Sequence, residues 1–177
     1  LEQNDGAMLE IAARLPGGVG GDGLAGGIPV NVFGGGHIGT EDLMRRTPNS
    51  LDGVSYHFYG QVSERCKMLK IGGAIKADAL KPAWLDATVA DLRYYSGLRD
   101  KYEPGKPIWN TETAQAACGG SPWAATFLDT FRYVNQLGAL AQKNVQVVMH
   151  NTLATSDYAL IDRDTMTPRP NYWAAVL

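Results

Sequence analysis

The sequence PIWNTET at residues 107–113, followed by a helical repeat and then by VQVVM at residues 145–149, decides the fold. Short, mainly apolar stretches are typical of strands that are buried on both faces of a parallel sheet. Between them, four apolar residues recur at the spacing of one helix face: Phe127, Phe131, Val134 and Leu137. A strand, a helix ending near Lys143 and a second strand predict two parallel strands joined by a helical crossover.

The same alternation continues towards the start of the chain. VSYHFY at residues 54–59 and IPVNVF at residues 28–33 are predicted strands. A helix is expected from about Pro82 to Leu98, because apolar residues again follow helical spacing: Leu85, Val89, Leu92 and Tyr95.

Shorter elements complete the predicted order. Thr40 is the expected N-cap of a short helix, and a last helix begins around Asn171. A helix followed by a glycine-rich connection at residues 16–27 precedes the first strand. The chain therefore predicts an α/β fold of four strand–helix units, which fits a small doubly wound sheet or half of an eight-stranded barrel.

Composition excludes several classes of function. The chain has 177 residues, of which 45% are hydrophobic and 19% charged, as is ordinary for a globular domain. Its formal net charge of −2 gives no electrostatic footprint for nucleic acid or an anionic membrane surface. No apolar run approaches the roughly 18 residues that a membrane span requires. We therefore expect neither a nucleic acid nor a membrane as partner.

Each predicted strand ends in polar side chains. They are His37 after the first, His57 and Tyr59 in the second, Asn110 and Glu112 in the third, and His150 and Asn151 after the fourth. Because parallel strands share one carboxyl edge, these side chains are expected to meet there, where α/β barrels carry their active sites.

Glu112 and the three histidines each have two interpretations. A carboxylate at the end of a buried strand is either paired in a structural salt bridge or used in catalysis or metal binding, and we favour the second for Glu112. Each histidine, taken alone, is more typical of a hydrogen-bonded packing residue than of a ligand. Three histidines on one edge of the sheet favour a functional role for them.

The two cysteines, Cys66 and Cys118, fit no zinc motif and are too few for a disulfide scaffold. They are interpreted either as two free thiols or as one bridge between neighbouring loops.

Two segments resemble glycoside hydrolase family 79, the heparanase and β-glucuronidase family of clan A. They are KPIWNTETAQAACGG at residues 106–120 and VQVVMHNTLATSDYALIDRDTMTPRPNYW at residues 145–173. The matching motifs are Glu112-Thr113, Gly119-Gly120, Val147-Val148-Met149, Tyr158-Ala159-Leu160-Ile161-Asp162 and Pro170-Asn171-Tyr172-Trp173. YHFY at residues 56–59 and VFGGGHIG at residues 32–39 resemble the family's strands six and five.

The resemblance implies a (β/α)8 TIM barrel of which residues 1–177 are the C-terminal half, strands five to eight. The first half and the family's β-sandwich domain are absent from the chain. A half barrel leaves sheet edges and apolar surface open, so the missing half or a homo-oligomer is expected to cover them.

The resemblance also implies a retaining hydrolase of a β-linked glycoside, such as a β-glucuronide, with no cofactor and no metal. Glu112 would be the nucleophile, and Tyr59 would hold its carboxylate. The sugar subsite would be lined by residues that the family uses there or that adjoin them: His37, His57, Gly119, Gly120, His150, Asn151 and Tyr158.

The chain departs from the family at two places. The family's acid/base lies in an Asn-Glu-Pro motif, which this chain lacks, so Glu2 or Asp5 is the candidate acid/base. His150-Asn151 replaces an Arg-Gln pair, which bears on the specificity for uronic acids.

The family picture places Cys66 and Cys118 in neighbouring loops at the barrel mouth. A bridge between them becomes plausible provided that the protein is exported. The resemblance favours a secreted or periplasmic protein, although the sequence itself leaves localisation unknown.

Two rival functions remain at this point. In a metal-dependent barrel hydrolase, His37, His57 and His150, with Glu112 and Asp157, would hold a zinc ion that activates water. In a non-catalytic carbohydrate-binding fragment, aromatic side chains would stack on sugar rings without chemistry: Tyr59, Trp109, Trp123 and Tyr158.

Overall fold

The computed structural model describes residues 39–69 and 73–177. Its helices are α1 (Thr40–Arg46), α2 (Pro82–Leu85), α3 (Ala87–Tyr102), α4 (Phe127–Ala141) and α5 (Pro170–Val176). Its strands are β1 (Val54–Tyr59), β2 (Ile108–Ala114) and β3 (Val147–His150). Short 3₁₀ turns cover Glu64–Leu69, Lys76–Asp78 and Pro122–Ala125.

The three strands form one sheet in the order β1-β2-β3, and both pairs are parallel. Helices α3 and α4 are the crossovers between successive strands. The predicted parallel α/β fold is therefore confirmed for this part of the chain. The predicted strand at residues 28–33 lies outside the described residues, as do the first helix and the glycine-rich connection.

The main core lies between the sheet and helices α3 and α4. Its buried side chains are Tyr56, Phe58, Leu92, Tyr95, Ile108 and Leu140. A second cluster joins α1 to the amino end of β1 through Met44, Leu51, Val54 and Leu98. Apolar burial of this kind is the main favourable term that holds the helices to the sheet.

Element boundaries differ from the predicted ones in two places. The helix expected from Pro82 to about Leu98 consists of two pieces, α2 and α3, and α3 continues to Tyr102. Gly39, rather than Thr40, occupies the N-cap of α1, and Thr40 is its first helical residue. The other described elements lie within two residues of the predicted ends.

The buried face of α4 is not the apolar stripe that predicts the helix. Phe127, Phe131 and Val134 are 70%, 65% and 50% exposed. The inward face instead carries Asp129, Arg132, Tyr133, Gln136 and Leu140. Burying polar groups is tolerated here because they bond to one another and to the sheet.

One polar network accounts for this reversed face. Asp129 Oδ1 accepts from Arg132 Nε at 2.5 Å, and Arg132 donates to Gln136 at 2.9 Å. Gln136 then donates to the Thr113 hydroxyl of β2 at 2.8 Å. Asn171 of α5 donates to Asp129 at 2.7 Å, so the network joins α4, α5 and β2.

None of the helices in residues 39–69 and 73–177 is long and apolar enough to cross a membrane.

Candidate active site

The carboxyl edge of the sheet gathers four of the predicted site residues. Tyr59 lies at the end of β1, Glu112 lies near the end of β2, and Asn151 directly follows β3. His57 pairs in register with Glu112, and Tyr59 pairs with Ala114. Because paired residues of parallel strands project to the same face, His57, Tyr59 and Glu112 share one side of the sheet.

A short chain of hydrogen bonds ends on the Glu112 carboxylate. The Tyr59 hydroxyl donates to Glu112 Oε1 at 2.6 Å, and Asn151 Nδ2 donates to the Tyr59 oxygen at 2.8 Å. Burial, and then the bond to Glu112, raises the pKa of Tyr59 well above its usual range. The hydroxyl therefore keeps its proton and is the donor in the hydrogen bond to Glu112.

The second carboxylate oxygen of Glu112 faces His57. The distance from His57 Nδ1 to Glu112 Oε2 is 3.5 Å, and the two side chains are 12% and 34% exposed. Within the described part of the chain, neither lysine nor arginine forms an ion pair with Glu112. Its environment thus differs from that of the buried Asp129–Arg132 pair, and the structural salt bridge has no support here.

The loop after β2 forms one wall beside this cluster. Cys118, Gly119 and Gly120 all have positive φ, at 63°, 80° and 78°. A Cβ on Gly120 would lie 2.6 Å from the Tyr158 ring, so only glycine allows this approach. The loop consequently sets Gly120 directly against Tyr158.

Two further contacts fix that loop. Cys66 and Cys118 form a disulfide, with a Cα–Cα distance of 6.3 Å, that joins the loops after β1 and β2. The Ser63 hydroxyl donates to the Gly120 carbonyl at 2.7 Å. Of the two interpretations of the cysteines, the structure has the bridge.

An ion pair lies at the outer end of the same wall. Arg65 and Asp157 form a salt bridge, and the Arg65 guanidinium lies 3.5 Å from the position of a Cβ on Gly119. The sequence suggests Asp157 only as a metal ligand. The sequence analysis assigns no role to Arg65. The position of Arg65 directly before Cys66 is the signal that could have placed it near the site.

His150 lies apart from the Glu112 cluster. It pairs with Thr113, whose side chain faces α4, and its ring packs edge-on against Tyr133 and Tyr158. Its Nε2 lies 2.7 Å from the Tyr158 carbonyl oxygen. The sugar contact expected of His150 stays a prediction.

Burial gives His150 a predictable effect on stability. Burial lowers the pKa of His150 below the usual 6.5, and the charge of Arg132 adds to this shift. The hydrogen bond to the Tyr158 carbonyl and the charge of Asp129 oppose it. The unfolded chain therefore binds more protons below about pH 6.5, and stability falls as the pH drops, by at most about 1.4 kcal/mol per pH unit.

We expect His150→Gln to weaken this pH dependence. The measurement is urea unfolding of the wild type and of the variant at pH 7.5 and pH 5.5. Glutamine keeps a donor for the Tyr158 carbonyl but does not titrate. Equal losses of stability in both proteins between the two pH values would contradict the assignment.

Three predicted residues lie outside the described residues: Glu2, Asp5 and His37. In the ranges 39–69 and 73–177, no group of three or more His, Cys, Asp and Glu side chains is placed to hold a metal ion. His57 and Glu112 are adjacent, but His150 does not join them.

Asn151 makes a contact that the sequence does not predict. Its amide bonds to the Tyr59 hydroxyl, and the sugar contact expected of Asn151 stays a prediction. Asn110, which the sequence places among the polar side chains at the strand ends, is fully buried. Strand periodicity does not predict the Asn151–Tyr59 hydrogen bond or the burial of Asn110, because both depend on how neighbouring strands align.

Comparison with known proteins supports the resemblance read from the motifs. No family model matches the chain. It is 32% identical to heparanase of Bos taurus over 129 residues, which is 72% of this chain and 22% of that protein. It is 31% identical to hyaluronoglucuronidase of Hirudo nipponia over 77 residues, 43% of the chain and 16% of the relative.

A third relative has no activity according to its name. Inactive heparanase-2 of Mus musculus is 30% identical over 105 residues, 56% of the chain and 17% of the relative. The chain thus spans less than a quarter of the length of each of these relatives. The similarity to heparanase-like glycosidases is confirmed.

Proposed function

We propose that this chain, as a relative of the heparanases, contributes the nucleophile and one wall of the sugar site to a retaining glycoside hydrolase. The observation that carries the proposal is the Tyr59 hydroxyl at 2.6 Å from a Glu112 carboxylate that no described lysine or arginine neutralises. A retaining enzyme needs such a carboxylate, ionised and held in one orientation, to attack the anomeric carbon.

The reaction then proceeds in two steps. Glu112 displaces the leaving group and forms a covalent glycosyl-enzyme, and water releases the sugar with retention of configuration. Tyr59, held by Asn151, fixes the attacking carboxylate. Retaining enzymes also need an acid, roughly 5–5.5 Å from the nucleophile, that protonates the leaving group. Glu2 and Asp5 are the candidates for this role.

The wall formed by the loop after β2 suits an anionic sugar. Within the described residues, no acceptor takes the backbone N–H groups of Gly119 and Gly120, and Tyr158 packs beside them. Amide donors of this kind bind a carboxylate without a counter-charge. We propose a β-linked glycoside as substrate, with a β-glucuronide as the first to test, and no cofactor or metal.

We place the chain in the second half of a (β/α)8 barrel, with β1, β2 and β3 as strands six, seven and eight. Both outer strands of the described sheet, β1 and β3, pair on one side only. The remaining strands of the barrel, or a second copy of the chain, would complete these edges. Residues 1–177 are then part of one catalytic domain.

A second candidate is carbohydrate binding without turnover. It is favoured by the similarity to the inactive relative of Mus musculus. Against stacking on a sugar, Trp123 packs edge-on against Trp84 in a buried cluster. The wild type of such a protein would bind the sugar and release no product.

Covalent labelling tests the proposal. A cyclitol aziridine of glucuronide shape, incubated with the whole protein that carries this chain, is expected to esterify Glu112, because such probes require a positioned nucleophile assisted by an acid. Peptide mass spectrometry locates the adduct, and Glu103, a buried carboxylate far from the site, is the internal control. A folded protein that carries the label on another carboxylate would refute the assignment of Glu112.

A further inference from the structure

Strand β2 has one more residue than its neighbours just before Glu112. On the β1 side, Tyr56 pairs with Asn110, and the next residue, His57, pairs with Glu112. Thr111 is therefore the extra residue. On the β3 side, the segment of β2 from Asn110 to Thr113 advances by three residues while the paired segment of β3 advances by only two. The same irregularity seen from both neighbours is a single-residue β-bulge within β2.

The bulge decides which way Glu112 points. Ile108 and Asn110 pair with Val54 and Tyr56, whose side chains lie in the core on the helix side of the sheet. Regular alternation would place Glu112 on that same side. The extra residue reverses the alternation, so that Glu112 joins the face of His57 and Tyr59.

The Asn110 side chain spans this bulge. Its Nδ2 donates to the carbonyl of Tyr56 at 3.1 Å and to the carbonyl of Glu112 at 3.4 Å. Tyr56 is the last β1 residue before the register shift, and Glu112 is the first β2 residue after it. Because Asn110 is 0% exposed, no water molecule can donate to the two carbonyls in its place.

We propose that Asn110 is a positioning residue, whose side-chain amide holds the bulge that turns Glu112 into the site. This role rests on the proposed function of Glu112. Its physical basis is that a nucleophile must be placed closely: an error of about 1 Å costs on the order of 100-fold in rate. The Asn110 amide bonds to the backbone carbonyl of Glu112 and thus acts through the backbone of that residue.

A matched pair of variants separates positioning from general stability. Asn110→Ala removes two hydrogen bonds to backbone groups from a fully buried side chain. Glu103→Ala does the same at the opposite end of the sheet, where Glu103 accepts from the Ser50 and Leu51 amides at 3.0 Å and 3.3 Å and is 0% exposed. Both variants should lose thermal stability.

Only Asn110→Ala should disturb the site. We expect the rate of cyclitol labelling at Glu112 and kcat/KM to fall about 100-fold in Asn110→Ala and to keep their wild-type values in folded Glu103→Ala. Equal effects of the two variants, or wild-type labelling in Asn110→Ala, would overturn the positioning role. Asn110→Ser, a milder change that keeps one donor, replaces Asn110→Ala if the latter does not fold.

A crystal structure of the Asn110 variant decides the question independently of activity. The Tyr59 hydroxyl and Glu112 Oε1, 2.6 Å apart in the wild type, should separate beyond hydrogen-bond distance. An unchanged distance would refute the role of Asn110. If the wild-type protein is not labelled at all, the proposed function fails, and the crystallographic distance still tests the positioning role.

Discussion

Replacing Glu112 by glutamine is expected to lower kcat/KM at least about 10⁴-fold, because an amide does not attack the anomeric carbon. The glutamine side chain would keep an oxygen to accept the hydrogen bond from Tyr59, so the fold and substrate binding should persist. The measurement is hydrolysis of an aryl β-glucuronide by the whole protein, with thermal unfolding recorded in parallel. Full activity of the variant would exclude Glu112 as the nucleophile.

Glu103→Gln is the matched control for this prediction. Glu103 is also a glutamate, it is buried, and it accepts two backbone hydrogen bonds at the amino end of the sheet. The Glu103→Gln variant should lose about 1–3 kcal/mol of stability, because an amide accepts these two backbone hydrogen bonds less strongly than a carboxylate does. It should retain full activity per folded molecule. Loss of turnover in both variants would point to a folding defect.

A rescue experiment separates nucleophilic attack from mere binding of the sugar. Glu112→Ala leaves a space beside the Tyr59 hydroxyl that a small anion such as azide can enter. Azide attacking from that position forms a glycosyl azide of inverted configuration from an activated β-glycoside. Detection of this product by NMR would assign the role of Glu112 directly, whereas a carbohydrate-binding protein would form none.

The second large effect is expected at Gly120. Gly120→Ala places a side chain at φ +78°, at a cost of roughly 1–2 kcal/mol, and puts its Cβ 2.6 Å from the Tyr158 ring. The Tyr158 ring must therefore shift from its present position. We expect kcat/KM to fall about 100-fold as the site loses its geometry, measured with the same aryl glycoside.

Gly105→Ala controls for the backbone strain alone. Gly105 has nearly the same φ, +79°, but nothing lies within 4 Å of a Cβ at that position. It should therefore lose stability to a similar extent without losing activity. If Gly105→Ala and Gly120→Ala behave alike, the close approach of Gly120 to Tyr158 has no functional role.

The sequence predicts the elements well because their signals are local. The strand at residues 54–59 has the expected bounds, and helix α4 begins where the repeat of Phe127 and Phe131 begins. The polar ends of the strands also indicate the edge at which the structure joins Tyr59, Glu112 and Asn151. These features follow from hydrophobic periodicity and from parallel topology alone.

Contacts between strands are beyond the reach of such signals. Counting alternate residues from Ile108 would turn Glu112 towards the helices, and only the bulge at Thr111 corrects this. The buried face of α4 is unpredictable for a similar reason: Arg132 is buried because Asp129 and Gln136 satisfy it. Both outcomes depend on partners from elsewhere in the chain.

The disulfide described above also determines how the labelled carboxylate must be sought. Trypsin cuts after lysine and arginine but not before proline, so it releases Glu112 in a peptide of residues 102–132, which contains Cys118. Cys66 leaves in the dipeptide Cys66-Lys67. The bond between the two sulfurs keeps these products together. Without reduction, the adduct therefore appears in a branched species that a linear peptide search would miss.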